Sequence, residues 1–346
     1  MKPMGKRIRV LGLAAIMGTT MLTGCGELKK DDVVATVGDS KITGSVANFY
    51  TRFQQAQYET YYAQMMGGAD TMWSQKTNGK KTYEDDVKKT ALEGLEQMYI
   101  LEDHMKDYEV TISDEEKAKI EKTANKFIKD NELKAKEATS ADPETVGKIL
   151  TLMTIQQKMS KAMTAEVNKE VDDKEAAQKS MQYVTFPYST ADESGAATAL
   201  DDAGKAEVKK KAEAFAVGGK DAADFAAFAK EQKMEAQTAT FDAKSTSPDS
   251  ALVQAADGLA ANETTGVVET ENGCYVARVT SLLDRAATDK KKEAIVSERQ
   301  QVEFDKIYKG FKKKTDISVN KKNWNKIDFE KQGITVKKVE DKPYTD

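Results

Sequence analysis

The sequence contains very little histidine and cysteine. Among its 346 residues there is one histidine, His104, and there are two cysteines, Cys25 and Cys274. A single histidine excludes any metal site with several histidine ligands, and it leaves Ser-His-Asp and Cys-His catalytic sets only His104, whose position on the polar edge of a helix argues against them. No loop has the carboxylate spacing of a calcium site. The sequence therefore predicts neither a metal nor a cofactor, and we expect His104, on the polar edge of a helix, only to be solvated.

Proline, aromatic residues and excess positive charge are also scarce. Five prolines, 7% aromatic residues and 32% charged residues favour a mostly helical protein. The first 24 residues carry four basic and no acidic side chains, so their removal would leave a net charge of −8. An acidic chain without a polybasic segment argues against nucleic-acid binding and against electrostatic docking on anionic lipid.

The N-terminal segment predicts export. Four basic residues precede an apolar run, Val10–Leu22, that is too short to span a bilayer. The motif "LTGC" (22–25) follows directly and resembles the lipobox of bacterial lipoproteins. That resemblance implies a signal peptide at 1–24, diacylation of Cys25 and a tether over 25–32, so that lipid holds the protein on the outer face of the cell membrane. The alternative is an ordinary secretory signal that ends in cysteine.

Both ends of the mature chain have helical periodicity. A hairpin is predicted at 33–43, and helices follow from residue 46 into the tyrosine-rich stretch 58–68 and over about 84–109. The Ser113–Glu116 capping box predicts the next helix, and Asp142 as an N-cap before Pro143 predicts another. A last helix is expected from about 287 to 313.

The middle of the chain has a different texture. It predicts a small α/β module, with elements expected as follows: strand 181–188, helices 202–217 and 221–232, an irregular stretch 237–248, helix 251–260, and a hairpin of 265–270 with 272–279. On the last strand, alternation puts Cys274, Val276 and Arg278 on one face and Tyr275, Ala277 and Val279 on the other. We expect Cys274 to be a buried, inert thiol, since only Arg278 is a nearby base and Cys25 would be lipidated.

The segment "LVQAADGLAANETTGVVETENGCYVARV" (252–279) resembles the C-terminal half of a parvulin-type prolyl isomerase domain. The stretches "DFAAFAKEQ" and "MQYVTF" match that family's helix and first strand, and "VVATVGDSKITGSVANFY" is similar to the opening of PrsA- and SurA-like foldases. The resemblance implies an α+β fold. A helical chaperone domain would be built from 33–174 and 286–346, around a parvulin-like module at 175–285.

The departures from the parvulin pattern bear on activity. Tyr183 and Tyr275 stand at the positions of the family's two histidines, and "QTATF" (237–241) replaces its glycine-rich turn. Leu252 stands at a pocket phenylalanine position. These changes predict weak or absent prolyl isomerisation and leave Tyr183, Phe241, Leu252 and Tyr275 as the candidates for a substrate groove.

The function that the resemblance implies is that of a membrane-anchored extracytoplasmic foldase or chaperone for unfolded or nascent exported proteins. Family members often dimerise, so a homodimer is a further expectation. Tyrosine and methionine suit adaptable binding, which makes the following the candidate client-binding residues: Tyr58, Tyr61, Tyr62, Met65 and Met66. Plain core packing is the alternative for them. An active prolyl isomerase and a substrate-binding lipoprotein are the alternative functions, and the long helices argue against the second.

Overall fold

The computed structural model describes residues 16–17, 27–131, 133–191, 197–331 and 335–336. The helices in this part of the chain are α1 (Gly44–Tyr62), α2 (Ala69–Met72), α3 (Tyr83–Asp103), α4 (Asp114–Asp130), α5 (Leu133–Thr139), α6 (Pro143–Met163), α7 (Asp173–Ala176), α8 (Asp202–Asp221), α9 (Phe225–Glu231), α10 (Ser250–Asp257), α11 (Arg285–Lys314) and α12 (Lys321–Trp324). Cys25 and, apart from two residues, the predicted signal peptide lie outside the described residues.

The strands pair antiparallel throughout the described residues. They are β1 (Ile16–Met17), β2 (Val33–Val37), β3 (Ser40–Thr43), β4 (Lys179–Pro187), β5 (Ser189–Ala191), β6 (Ala197–Ala199), β7 (Gln237–Phe241), β8 (Val268–Thr270), β9 (Gly273–Ser281), β10 (Ile317–Val319) and β11 (Thr335–Val336). Long helices combined with separate antiparallel sheets confirm the predicted α+β class.

The chain forms two compact units. The first combines residues 1–166 with 302–346, and the second is the continuous segment 167–301. The division falls inside helix α11, so this helix contributes residues to both units.

The first unit packs helices against a small sheet of order β10-β2-β3. Gly38, at φ +55°, makes the tight turn of the predicted β2–β3 hairpin, a conformation that costs glycine little. The capping box of Ser113 and the N-cap of Asp142 are both present, as the sequence predicts. The large fully buried side chains of this unit include Phe49, Trp73, Leu95, Ile100 and Phe329.

The second unit is built on a four-stranded sheet of order β7-β4-β9-β8. One face packs on α8 and α9 through a cluster that contains Cys274, Val276, Phe215 and Phe225. The other face packs on α10 through a cluster that contains Tyr183 and Ala277. The predicted alternation of Cys274 and Tyr275 along β9 is confirmed by this division.

Two local predictions are wrong. The stretch 237–248 is not irregular throughout, because residues 237–241 form strand β7 beside β4. His104 is not merely solvated: its ring stacks on Phe311 with centroids 3.7 Å apart, and its Nδ1 lies 2.6 Å from an Asp107 carboxylate oxygen. The strand and the ring contact escape prediction for one reason, since β4 is distant in the sequence from β7 and Phe311 is distant from His104.

Candidate functional site

The candidate site lies on the α10 face of the second unit's sheet, where β4 and β9 place two tyrosines side by side. Tyr183 is opposite Ala277 and Tyr275 is opposite Thr185, so the two tyrosines are diagonal neighbours on one face. Their ring centroids are 6.3 Å apart and their planes are inclined by 50°. The structure therefore brings together the two residues that the sequence places at the parvulin histidine positions.

The two tyrosines are polar groups on an otherwise apolar surface. Tyr183 is 9% exposed and Tyr275 is half-buried. Burial, with Asp249 and Tyr183 nearby, raises the pKa of Tyr275, so its phenol stays neutral at physiological pH. No described residue forms a hydrogen bond with the hydroxyl group of Tyr183 or of Tyr275, so each hydroxyl can bond to a ligand. The pair can orient a peptide, but a neutral phenol of raised pKa is a poor proton acceptor.

The other two groove candidates, Phe241 and Leu252, join the same apolar cluster as Tyr183. Both are fully buried, with no exposed surface. As the structure places them, a peptide at this face would contact the tyrosines and would not contact Phe241 or Leu252.

Cys274 lies on the opposite face of the sheet and is fully buried. Its Sγ is 3.2 Å from the Tyr188 hydroxyl, which donates a hydrogen bond of 2.7 Å to Glu269. Lys209 pairs with the same carboxylate at 2.6 Å. The hydrogen bond with Cys274, together with burial and Glu269, raises the pKa of Tyr188. No sequence pattern indicates this arrangement, because it depends on how β8 pairs with β9.

Arg278, the one base near Cys274 in sequence, serves another purpose. Its guanidinium donates hydrogen bonds to the carbonyls of Gly219, Lys220 and Ala222 at the end of α8. Arg278 is 6% exposed and its guanidinium lies over the Phe225 ring at 5.6 Å. Its charge therefore fixes the end of a helix.

The candidate client-binding residues in the first unit separate into two groups. Tyr58 packs edge-on against Trp73 and Tyr83, and Met66 is half-buried against the core. Tyr61, Tyr62 and Met65 are 69%, 48% and 83% exposed. We call these last three the exposed patch.

The described residues include no group of three histidine, cysteine, aspartate or glutamate side chains that could hold a metal ion. Within the same residues, no helix combines the length and the apolar character needed to cross a membrane.

Residues 169–294 match the family model of the PPIC-type PPIase domain. The second unit is a PPIC-type domain. The match confirms the parvulin resemblance that the sequence indicates, and within the PPIC-type domain it covers β4, α10 and β9, the elements that carry or adjoin the two tyrosines. No curated protein matches the sequence significantly.

The solved structures that match this chain in a structural comparison include foldases and chaperones. The foldase protein PrsA from Lactococcus lactis is 14% identical, with a TM-score of 0.36, over 86% of this chain and 98% of that one. A SurA-like chaperone from Campylobacter jejuni is 13% identical, with a TM-score of 0.29, over 84% and 99%. PrsA from Bacillus subtilis is 18% identical, with a TM-score of 0.21, over 73% and 96%. At such TM-scores these likenesses add nothing to the assignment of the PPIC-type domain.

Proposed function

We propose that this protein is an extracytoplasmic foldase or chaperone whose PPIC-type domain binds unfolded chains but isomerises prolyl bonds weakly or not at all. The carrying observation is the pair Tyr183 and Tyr275, side by side on the face of a PPIC-type domain where the family has histidines. Isomerisation needs no covalent step, only stabilisation of a twisted amide over a barrier of about 20 kcal/mol. Two tyrosine hydroxyls at these positions can still form hydrogen bonds with a peptide, but they lack the imidazole groups of the family's histidines.

Prolyl isomerisation is tested on the full mature chain with a protease-free prolyl peptide assay. We expect isomerisation rates within about twofold of the uncatalysed reaction, because hydrogen bonds from the two tyrosine hydroxyls would stabilise the bound peptide and the transition state equally. The matched variant is Tyr183→Phe with Tyr275→Phe, which removes both hydroxyls and keeps the rings. A clear acceleration by the wild type that this variant loses would establish the alternative function, an active prolyl isomerase.

The exposed patch supports the chaperone part of the proposal. Tyr61, Tyr62 and Met65 present large apolar surface to solvent on the first unit, and tyrosine and methionine adapt to varied partners. The occupant we assign to them is an unfolded exported chain, because tyrosine and methionine are enriched at protein-binding surfaces and match the apolar side chains that such a client exposes.

Client binding is tested by light scattering during aggregation of reduced insulin. We expect the mature protein to suppress aggregation and the triple variant Tyr61→Ser, Tyr62→Ser, Met65→Ser to lose at least about half of that effect. The control carries Val217→Ser, Leu282→Ser and Val302→Ser, three other exposed apolar residues. No suppression by the wild type would refute the chaperone role, and equal effects of the two triple variants would refute the patch.

Lipid anchoring through Cys25 belongs to the same proposal and is supported by the lipobox resemblance alone. Two acyl chains give stable anchoring, so Cys25→Ser should move the protein from the membrane fraction to the soluble fraction. Continued membrane association of that variant would contradict the anchor. A substrate-binding lipoprotein gains no support from sheets that are antiparallel throughout the described residues.

A further inference from the structure

Strand β7 forms an open edge of the PPIC-type domain. It pairs with β4 on one side, and no described strand lies on its other side. The side chains of Gln237, Thr238 and Thr240 are exposed. An edge of this kind presents unpaired backbone N–H and C=O groups to solvent.

This edge lacks the features that normally protect a strand from pairing. With five residues, β7 is the longest edge strand of the sheets among the described residues. It contains no charged residue and no proline, and its pairing with β4 is free of bulges. The opposite edge, β8, has three residues and carries Glu269, and the four-residue edge β3 of the first unit carries Lys41. Short length and charge are the usual protection, and β7 has neither.

We propose that the edge of β7 binds an extended segment of an unfolded client as an additional strand of the sheet. Main-chain hydrogen bonds supply the affinity in such strand addition, so recognition depends little on the client's sequence. An uncharged edge suits this occupant, because it neither repels nor selects the side chains of clients. The proposal rests on the proposed chaperone function and assigns it a second contact surface.

A second copy of this chain is the competing occupant, and the size of the edge argues against it. Five residues extend over about 17 Å, and two such strands alone bury far less than the roughly 1,000 Å² expected of a stable interface. A weak and reversible contact is what a factor that must release its client requires.

The edge also lies close to the tyrosine site. Gln237 on β7 pairs with Tyr183 on β4. A strand added to the open side of β7 would therefore be separated from β4 by β7 alone. Strands in a sheet are about 4.8 Å apart, which puts the added segment within about 10 Å of β4. A client held at β7 would therefore run beside the face that carries Tyr183 and Tyr275.

The proposal is tested by hydrogen–deuterium exchange of the mature protein. The probe is a short lysine-flanked peptide of alternating threonine and valine, and its matched control has N-methyl groups on the amides of its central segment. We expect the first peptide to slow exchange at residues 237–241 by about tenfold and the second to have no effect. Equal protection by both peptides, or by neither, would overturn the proposal.

Variants separate this inference from the function on which it rests. Thr238→Lys with Thr240→Lys charges the edge, whereas Gln254→Lys with Thr280→Lys adds the same charge at exposed positions away from it. We expect only the edge variant to lose peptide-dependent protection. If wild type suppresses insulin aggregation but the peptide protects both variants equally, the edge proposal fails and the chaperone proposal stands. Protection of β7 that rises with protein concentration without peptide would assign the edge to a second copy and overturn the proposal.

Discussion

At the scale of single residues, Asp242 shows how local hydrogen bonds outweigh burial. Its carboxylate accepts hydrogen bonds from Gln178 Nε2 at 2.9 Å and from the Lys244 N–H at 2.8 Å, and it pairs with Lys291 at 3.1 Å. Burial by itself raises the pKa of Asp242, but these three partners outweigh it and lower the pKa to about 2. The residue directly follows β7 and ties the end of that strand to Gln178 and to α11.

This pKa predicts a pH-dependent contribution to the stability of the PPIC-type domain. The unfolded value is about 3.9, so the folded carboxyl contributes stability above pH ~4 and loses it as the pH falls from about 4 to about 2. The contribution is on the order of 2 kcal/mol. Asp242→Asn should therefore reduce the opening free energy of β4 amides at pH 7 by about that amount, with a difference from wild type that shrinks toward pH 2. Glu235→Gln, at an exposed residue just before β7, is the control and should change little. A difference that does not depend on pH would contradict the prediction.

At the scale of elements, the sequence predicts well what is determined locally. The Ser113–Glu116 capping box and the alternation along β9 depend on residues within a few positions of each other, and those predictions are confirmed. The sequence pattern does not predict strand β7, because Gln237, Thr238 and Thr240 are polar and exposed and the strand conformation comes from pairing with β4. The resemblance to the parvulin pattern predicts the tyrosine pair. It does not predict the full burial of Phe241 and Leu252, since that burial depends on how α10 packs on the sheet.

Arg278 joins two elements, and its removal should destabilise the contact between β9 and α8. Arg278→Met leaves the carbonyls of Gly219, Lys220 and Ala222 without their charged donor in a buried position. Hydrogen bonds to charged groups contribute about 1.5–3 kcal/mol, so we expect a loss of about 3 kcal/mol, measured as the opening free energy of α8 and β9 amides. Arg285→Met removes an arginine that is 54% exposed in its pair with Asp173, and it should cost much less than Arg278→Met, because solvent screens an exposed pair. Equal losses in the two variants would show that the buried bonds carry no special weight.

At the scale of the whole molecule, a segment near the C-terminus completes the core of the first unit. Phe329 is 1% exposed and its ring packs on Trp73 with centroids 4.7 Å apart. Its N–H donates to Glu84 at 2.9 Å, and its carbonyl accepts from Gln55. The PPIC-type domain is continuous in sequence, so it can fold during synthesis as soon as its own residues have left the ribosome. The first unit can complete its core only after residues 324–329 have been synthesised.

This organisation predicts that core substitutions act on one unit at a time. Phe329→Ala should lower the free energy of unfolding of the first unit by about 3–5 kcal/mol, because it removes a buried ring and leaves a cavity in the core. Both tryptophans, Trp73 and Trp324, lie in the first unit, so tryptophan emission during urea unfolding reports on that unit alone. The matched substitution in the second unit is Phe215→Ala, at a side chain that is 4% exposed and packs on Phe225. We expect Phe329→Ala to lower the urea midpoint of tryptophan emission and to leave exchange of β9 amides nearly unchanged, and Phe215→Ala to do the reverse. If each substitution shifts both signals equally, the two units unfold as one cooperative block through their shared helix α11. The PPIC-type domain then does not fold before residues 324–329 have been synthesised.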